Sequence, residues 1–298
     1  MILQDKATLK YLHAYKDGKI KQGLGINCNL MDKHIVLKRA EFNMVLGLDN
    51  VGKTNWLLWY LLCHAKLNNK KFIIWSGENR AGQLKRDIIQ MWLGVKFKDI
   101  IKSKIDFYNK EISKYFKFID NSKLYNHKEL LNIFADTDCD GCVIDPYTGL
   151  NHNRNVNQFD RNYHFCNDVR EFCNRTGKTI FVCMHPQTEA ARRVYPADHL
   201  LNGHIQPPRK ADCEGGQVFP NRVDNFMCIH RLISHPDLWM LTELHIYKVK
   251  DKETGGMPTM LGEPLRFDYN GGLGFTLNGV NPLEVKEEIM LNDEEDIF

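Results

Sequence analysis

Apolar residues fall along this chain in short unbroken runs, separated by longer stretches with helical spacing. "NMVLG" (43–47), "KFIIWSGE" (71–78), "FKFID" (116–120), "GCVIDPYTGL" (141–150) and "KTIFVCMH" (178–185) read as strands, most of them buried on both faces. Between them, "TNWLLWYLLCHAKLNN" (54–69), "AGQLKRDIIQMWLG" (81–94), "NHKELLNIFADT" (126–137) and "FDRNYHFCNDVREFCNRTG" (159–177) read as helices, the second and fourth stopping at glycine. The lysine-rich stretch 96–117 predicts a surface-lying helix, and 186–217 reads as loop. Two late runs, "VDNFMCIHRL" (223–232) and "LTELHIYKVK" (241–250), predict strands, and "RFDYNGGLGFT" (266–276) a closing hairpin. Short apolar strands alternating with helices predict an α/β fold: a mostly parallel central sheet flanked by helices.

Composition narrows this little. With 43% hydrophobic and 26% charged residues, the 298-residue chain is ordinary for a globular protein. No apolar run reaches the roughly 18 to 20 residues of a membrane helix, and the N-terminus lacks a signal-peptide core. Nine cysteines, an odd number without regular spacing, fit reduced thiols. Together these features point to the cytosol and away from a membrane. "CDGC" (139–142) is a C-x-x-C pair with no second pair at zinc-ribbon spacing, so it reads as ordinary thiols. Charge is uneven: residues 284–298 hold seven acids and one lysine, net −6, which leaves +9 on the rest of a chain whose total is +3. The division that follows is a polar arm at 1–38, one domain at 39–278 and an acidic tail at 279–298.

The chemistry begins at "GLDNVGKTN" (47–55), which contains G-x-x-x-x-G-K-T between an apolar strand and a helix. That is the setting of a phosphate-binding loop. Gly47, Asn50, Gly52, Lys53, Thr54 and Asn55 are the expected nucleotide contacts: glycines let the backbone wrap the β-phosphate, Lys53 reaches the β/γ-phosphates, and Thr54 supplies a hydroxyl to Mg²⁺. Three strand tips add candidates. Asp145 ends "CVID", where an acid binds Mg²⁺. Glu78 ends "KFIIWSGE" and is expected on the strand beside the phosphate loop, as the base that orients or deprotonates water. His185 ends "IFVCMH", where an imidazole senses the γ-phosphate and passes its state to the next loop.

The order of these motifs resembles a known family. After the phosphate loop come a strand ending in glutamate with "QLKR" behind it, "VID", and a strand ending in histidine followed by "PQTEAARR". Then follow "ADCEGGQVFPNRVDNFMCIHR" and "IYKVKDKETG". This pattern, over about residues 24–276, resembles the RecA-like P-loop NTPase motor of DnaB/Twinkle-class replicative ring helicases, with "HPQTE" and "RVDNFMCIHR" nearest the phage primase–helicase branch. The resemblance implies an ATP- and Mg²⁺-dependent DNA helicase, a homo-hexamer with ATP between subunits and single-stranded DNA in its pore, in a phage or bacterial cytosol. It matches Glu78 to the catalytic glutamate, Asp145 to the Mg²⁺ aspartate and His185 to the sensor histidine. Lys248 and Lys250 fall on the family's K-x-R pair, which is offered to a neighbour's ATP; lysine replaces the arginine here, and Arg222, Arg231 and Lys252 are alternatives. About 40 residues precede the motor, with no primase module among them.

The same resemblance turns two loops toward the pore. They are 147–160, with Arg154, and 186–214, with Arg192, Arg193, Arg209 and Lys210, whose charges suit phosphate oxygens without reading sequence. The tail "NDEEDIF" has the look of a docking tip for a replication partner. Two other classes stay open on these residues: a recombinase of the RecA/RadA kind, forming filaments on DNA, and a slow nucleotide-binding scaffold ring.

Overall fold

The computed structural model describes residues 5–153 and 155–284. Among them, nine strands form one sheet: β1 (Phe42–Leu46), β2 (Phe72–Ser76), β3 (Phe116–Phe118), β4 (Gly141–Asp145), β5 (Thr179–Met184), β6 (Asn225–Arg231), β7 (Leu241–Val249), β8 (Leu265–Tyr269) and β9 (Phe275–Leu277). Their order is β3-β2-β4-β5-β1-β6-β7-β8-β9. The first six are parallel; β7, β8 and β9 add on antiparallel. The sheet is thus mostly parallel, as the apolar runs predict, and 266–276 closes as the β8–β9 hairpin.

The helices are α1 (Asp5–Lys16), α2 (Asn29–Asp32), α3 (Lys53–Asn68), α4 (Ala81–Leu93), α5 (Lys102–Ser113), α6 (His127–Asp136), α7 (Gln158–Thr176), α8 (Thr188–Arg192), α9 (Val218–Arg222) and α10 (Lys252–Gly255). Local chemistry sets their ends. Asn126 caps α6 and trades bonds with Glu129, Asn157 caps α7, and Gly94 and Gly177 close α4 and α7 in the left-handed region.

Alternate residues of each central strand enter opposite cores. On β1, Phe42, Met44 and Leu46 face one core while Val45 faces the other. On β5, Ile180, Val182 and Met184 oppose Phe181 and Cys183. Residues of α3 and α4 fill the core that Val45, Phe181 and Cys183 enter, here the first core, and those of α6, α7 and α9 fill the second, which Phe42, Met44 and Leu46 enter. From Trp56 to Ala65, α3 is buried on every side, as a helix at the centre of a domain must be. Ile26, Cys28, Met31, Ile35 and Leu37, in the stretch read as an arm, are buried in the first core, and Leu283 joins them. Residues 285–298 of the acidic tail lie outside the described residues. No described helix is long and apolar enough to cross a membrane.

Asp224 ties the sheet edge away from the phosphate loop. Its carboxylate accepts from the Phe42 amide at 2.9 Å and from Arg170 at 2.5 Å, and Lys250 stands 3.4 Å away. Asp224 is 6% exposed, so removing the acceptor strands an amide and an arginine together. Asp224→Ala is expected to lower unfolding free energy by about 2 to 4 kcal/mol. Urea unfolding measures this; a loss within error would mean that the network contributes nothing.

Candidate nucleotide site and the loops beside it

The phosphate loop spans the turn between β1 and α3. Gly52 caps α3 at φ +87 and Asn50 sits at φ +59, so the chain turns through two left-handed residues before the helix starts at Lys53. A Cβ on Gly47 would lie 2.6 Å from the Ile229 carbonyl and 2.9 Å from Lys53 Cγ, which reserves that position for glycine. The loop opens on a cleft of about 700 Å³ whose walls include Lys53, Thr54, Glu78, Asp145, His185 and Arg231.

Distances inside the cleft are short. Lys53 Nζ donates to the carbonyls of Gly47 and Leu48, both at 2.8 Å, and lies 3.3 Å from His185 Nδ1. Burial pushes the Lys53 ammonium below the usual lysine range, and Asp145, Asp49 and Glu78 act against that shift. Thr54 Oγ1 donates to Asp145 Oδ2 at 2.7 Å. Burial pushes the Asp145 carboxyl up, while bonds from Thr54 and Cys183 and the charge of Lys53 hold it down. His185 Nδ1 is 2.8 Å from Asp49 Oδ1, and its Nε2 is 3.4 Å from Glu78 Oε1.

The strand order corrects one expectation. Glu78 does not sit on a strand beside β1: β4 and β5 intervene between β1 and β2. It still reaches the cleft, because two residues past the end of β2 carry it toward His185 at the tip of β5, which does adjoin β1.

The residues suit a nucleoside phosphate with a divalent cation. A glycine-bounded loop, a helix N-terminus and a lysine form an anion cradle. The Thr54–Asp145 pair offers hard oxygen ligands, of the kind Mg²⁺ takes one or two of beside phosphates and water. Among the described residues no group of three or more acids, histidines or cysteines is placed to hold a metal by itself. The Cys139 and Cys142 sulfurs are 3.9 Å apart, within thiol hydrogen-bond reach, and form no disulfide.

Two cleft residues escaped sequence reasoning in this role. The Arg231 guanidinium stacks over the Tyr269 ring at 4.6 Å, and Asn55 Nδ2 lies 3.5 Å from the Tyr269 hydroxyl. They form a cationic–aromatic wall of the cleft beside the phosphate loop, of a chemistry that suits a nucleobase. Arg231 had a readable signal, because it ends β6 as Asp145 and His185 end or follow theirs. Tyr269 had none. Arg231 therefore lines its own chain's cleft.

Lys248 and Lys250 lie at the other end of the sheet. β7 runs antiparallel, so Val249 pairs with Asn225 at the start of β6, about 17 Å along the sheet from the phosphate-loop edge at the usual strand rise. Lys248 Nζ donates to the Pro220 and Asn221 carbonyls, and Lys250 pairs with Asp224. Arg222, over the Tyr163 ring at 4.4 Å, and Lys252 flank the same edge.

The segment read as loop, 186–217, is partly built. It carries α8, a 3₁₀ turn at Lys210–Asp212 and the bridges Pro186–Cys213, Val194–Ile205 and Tyr195–Asn202. Its base is bonded to the cleft: the Glu214 amide donates to the His185 carbonyl at 3.3 Å, and the Gln187 amide to the Asp212 carbonyl at 2.7 Å. Gln158 and Asn162 of α7 reach the Glu214 and Gly215 carbonyls. Arg193 is committed inside the segment, paired with Asp212 at 2.5 Å and bonded to the Pro207 carbonyl. Arg192 is exposed beside Glu189, and Arg209 and Lys210 are exposed. Arg209 lines a groove of about 500 Å³ with Arg266, Tyr247 and the stacked rings of Tyr195 and His199. Arg154 lies outside the described residues.

No family model matches the chain, and no curated protein matches it in sequence. Solved structures do. The ATPase domain of the protein G-40-P superposes with a TM-score of 0.71 over 92% of this chain and 98% of that one, at 12% identity. A DnaB-like replicative helicase, whose structure was described together with its interactions with primase, gives the same score and identity over 92% of this chain and 67% of that one. At such identity the likeness is one of fold, the RecA-like α/β architecture.

Proposed function

On that fold, we propose that this chain is an ATP-hydrolysing motor that moves along single-stranded DNA, working as a ring of its own copies. One observation carries the reading: His185, in contact with Lys53 and Glu78, is joined through its own carbonyl to the base of the exposed basic segment. A change at the terminal phosphate then has a direct backbone route to Arg192, Arg209 and Lys210.

Each side chain has a part. Lys53 and the loop amides hold the phosphates, and Thr54 with Asp145 holds Mg²⁺. Mg²⁺, when bound there, would offset the negative charge of the phosphates. Glu78 orients the attacking water and takes its proton, and His185 keeps the carboxylate turned inward. Arg231 and Tyr269 receive the base. Lys248 and Lys250 face away from their own cleft, so in this reading they serve the nucleotide of an adjacent copy, most simply in a hexamer. The acidic tail recruits a replication partner.

A forked DNA duplex with ATP and Mg²⁺ tests the proposal. Strand displacement is expected, together with hydrolysis that rises severalfold on adding single-stranded DNA. If no strand is displaced and hydrolysis ignores DNA, the motor reading is wrong. Strand exchange on open filaments would instead select the recombinase.

A further inference from the structure

The phosphate loop carries an acid where its anionic ligand has to come. Asp49 is the third residue of "GLDNVGKT", and its side chain is 83% exposed, projecting into the cleft. Its carboxylate is nevertheless anchored, with Oδ1 2.8 Å from His185 Nδ1. The same nitrogen is 3.3 Å from Lys53 Nζ. A carboxylate oxygen at this point has the charge and hydrogen-bonding capacity of a terminal phosphate oxygen.

From this arrangement we infer that Asp49 is a built-in stand-in for the terminal phosphate. It holds His185 while the cleft is empty and must be displaced before a nucleoside triphosphate engages that histidine. The inference rests on the nucleotide-motor reading above and adds a positioning residue to it.

The ring explains why one histidine joins these groups. Nδ1 serves Asp49 and Nε2 serves Glu78, so the Asp49 contact also fixes the face that the imidazole shows to Glu78. With Asp49 in place, His185 is tied to the phosphate loop. When a terminal phosphate replaces it, the histidine follows the nucleotide, and through its carbonyl so does the base of segment 186–214. Two anions competing for one donor are linked: each lowers the other's apparent affinity by the same factor. A diphosphate lacks the group that reaches His185 and displaces nothing. The cost of displacement therefore falls on triphosphate alone, in addition to a general repulsion felt by every anion in the cleft.

Asp49→Asn and Asp49→Ala test this in the full chain, by titration with the β,γ-imido analogue of ATP and with ADP, each with Mg²⁺. Asp49 is exposed on a loop, so both variants are expected to fold, and circular dichroism checks it. The analogue should bind more tightly by at least about threefold, the scale of one exposed ion pair, and ADP by clearly less. Placing Asp49→Asn in a His185→Asn background should erase the difference between the two nucleotides. Equal tightening of both ligands would reduce Asp49 to simple repulsion and overturn the inference, as would unchanged or weaker binding. A wild-type chain that binds neither nucleotide removes the motor reading and this inference with it. A wild type that binds both, with an unaltered ratio in the variants, removes this inference alone.

Discussion

Lys53→Ala is expected to remove ATP hydrolysis, with turnover falling by about a thousandfold or more. Lys53 is 7% exposed and lines the cleft at the start of α3. Its ammonium donates to the Gly47 and Leu48 carbonyls, lies 3.3 Å from His185 Nδ1 and makes no ion pair among the described residues, so it can turn to incoming phosphates without breaking one. Truncation leaves the two carbonyls without that donor and the cleft with Asp49, Glu78 and Asp145 facing a polyanion. Nucleotide binding should weaken as well, because the lysine acts on ground state and transition state alike. Phosphate release at saturating ATP measures the first effect and equilibrium titration the second. Lys53→Met, which keeps the stem, separates loss of charge from collapse of the loop. Turnover within tenfold of wild type in both variants would show that hydrolysis occurs at another site.

Glu78→Gln separates chemistry from binding. The side chain is 56% exposed, touches His185 at 3.4 Å and makes no other side-chain ion pair among the described residues, so an isosteric amide disturbs little around it. Loss of a general base lowers turnover by about a hundredfold to ten-thousandfold. ATP affinity should hold or rise slightly, since one negative charge leaves the cleft. Rapid-quench single turnovers distinguish slow cleavage from slow product release. If this variant turned over normally, the base would lie elsewhere; Asp87, another acid lining the cleft, is then the one to examine.

Much of the site was legible because its signals are local. The phosphate loop is contiguous, and its glycines answer to backbone geometry that a few residues define. Asp145 and His185 could be picked as strand-tip residues because continuous apolar runs reveal where buried strands stop. Arg193 shows the limit of that reasoning. Its charge looked available in the sequence, yet Asp212, brought close by the bridge between Pro186 and Cys213, takes it up. Tyr269 shows another limit: 215 positions separate it from Thr54, and it arrives at the cleft only because β7 reverses the chain and β8 returns it to the phosphate-loop edge.

What this chain's sequence determined alone is therefore most of the central strands and long helices, the mostly parallel character of the sheet and the place of the candidate phosphate loop. All three depend on periodicity and on conformational preferences within a few residues. Strand order belonged to the tertiary structure, because it depends on which crossovers let both faces of the sheet close over their cores. That order put two strands between β2, which Glu78 follows, and β1, which leads into the phosphate loop. It joined Arg231 to Tyr269 in the cleft and set Lys248 and Lys250 on the opposite edge. A side chain's neighbours across a sheet are set by packing among distant segments, and no local window of residues contains that information.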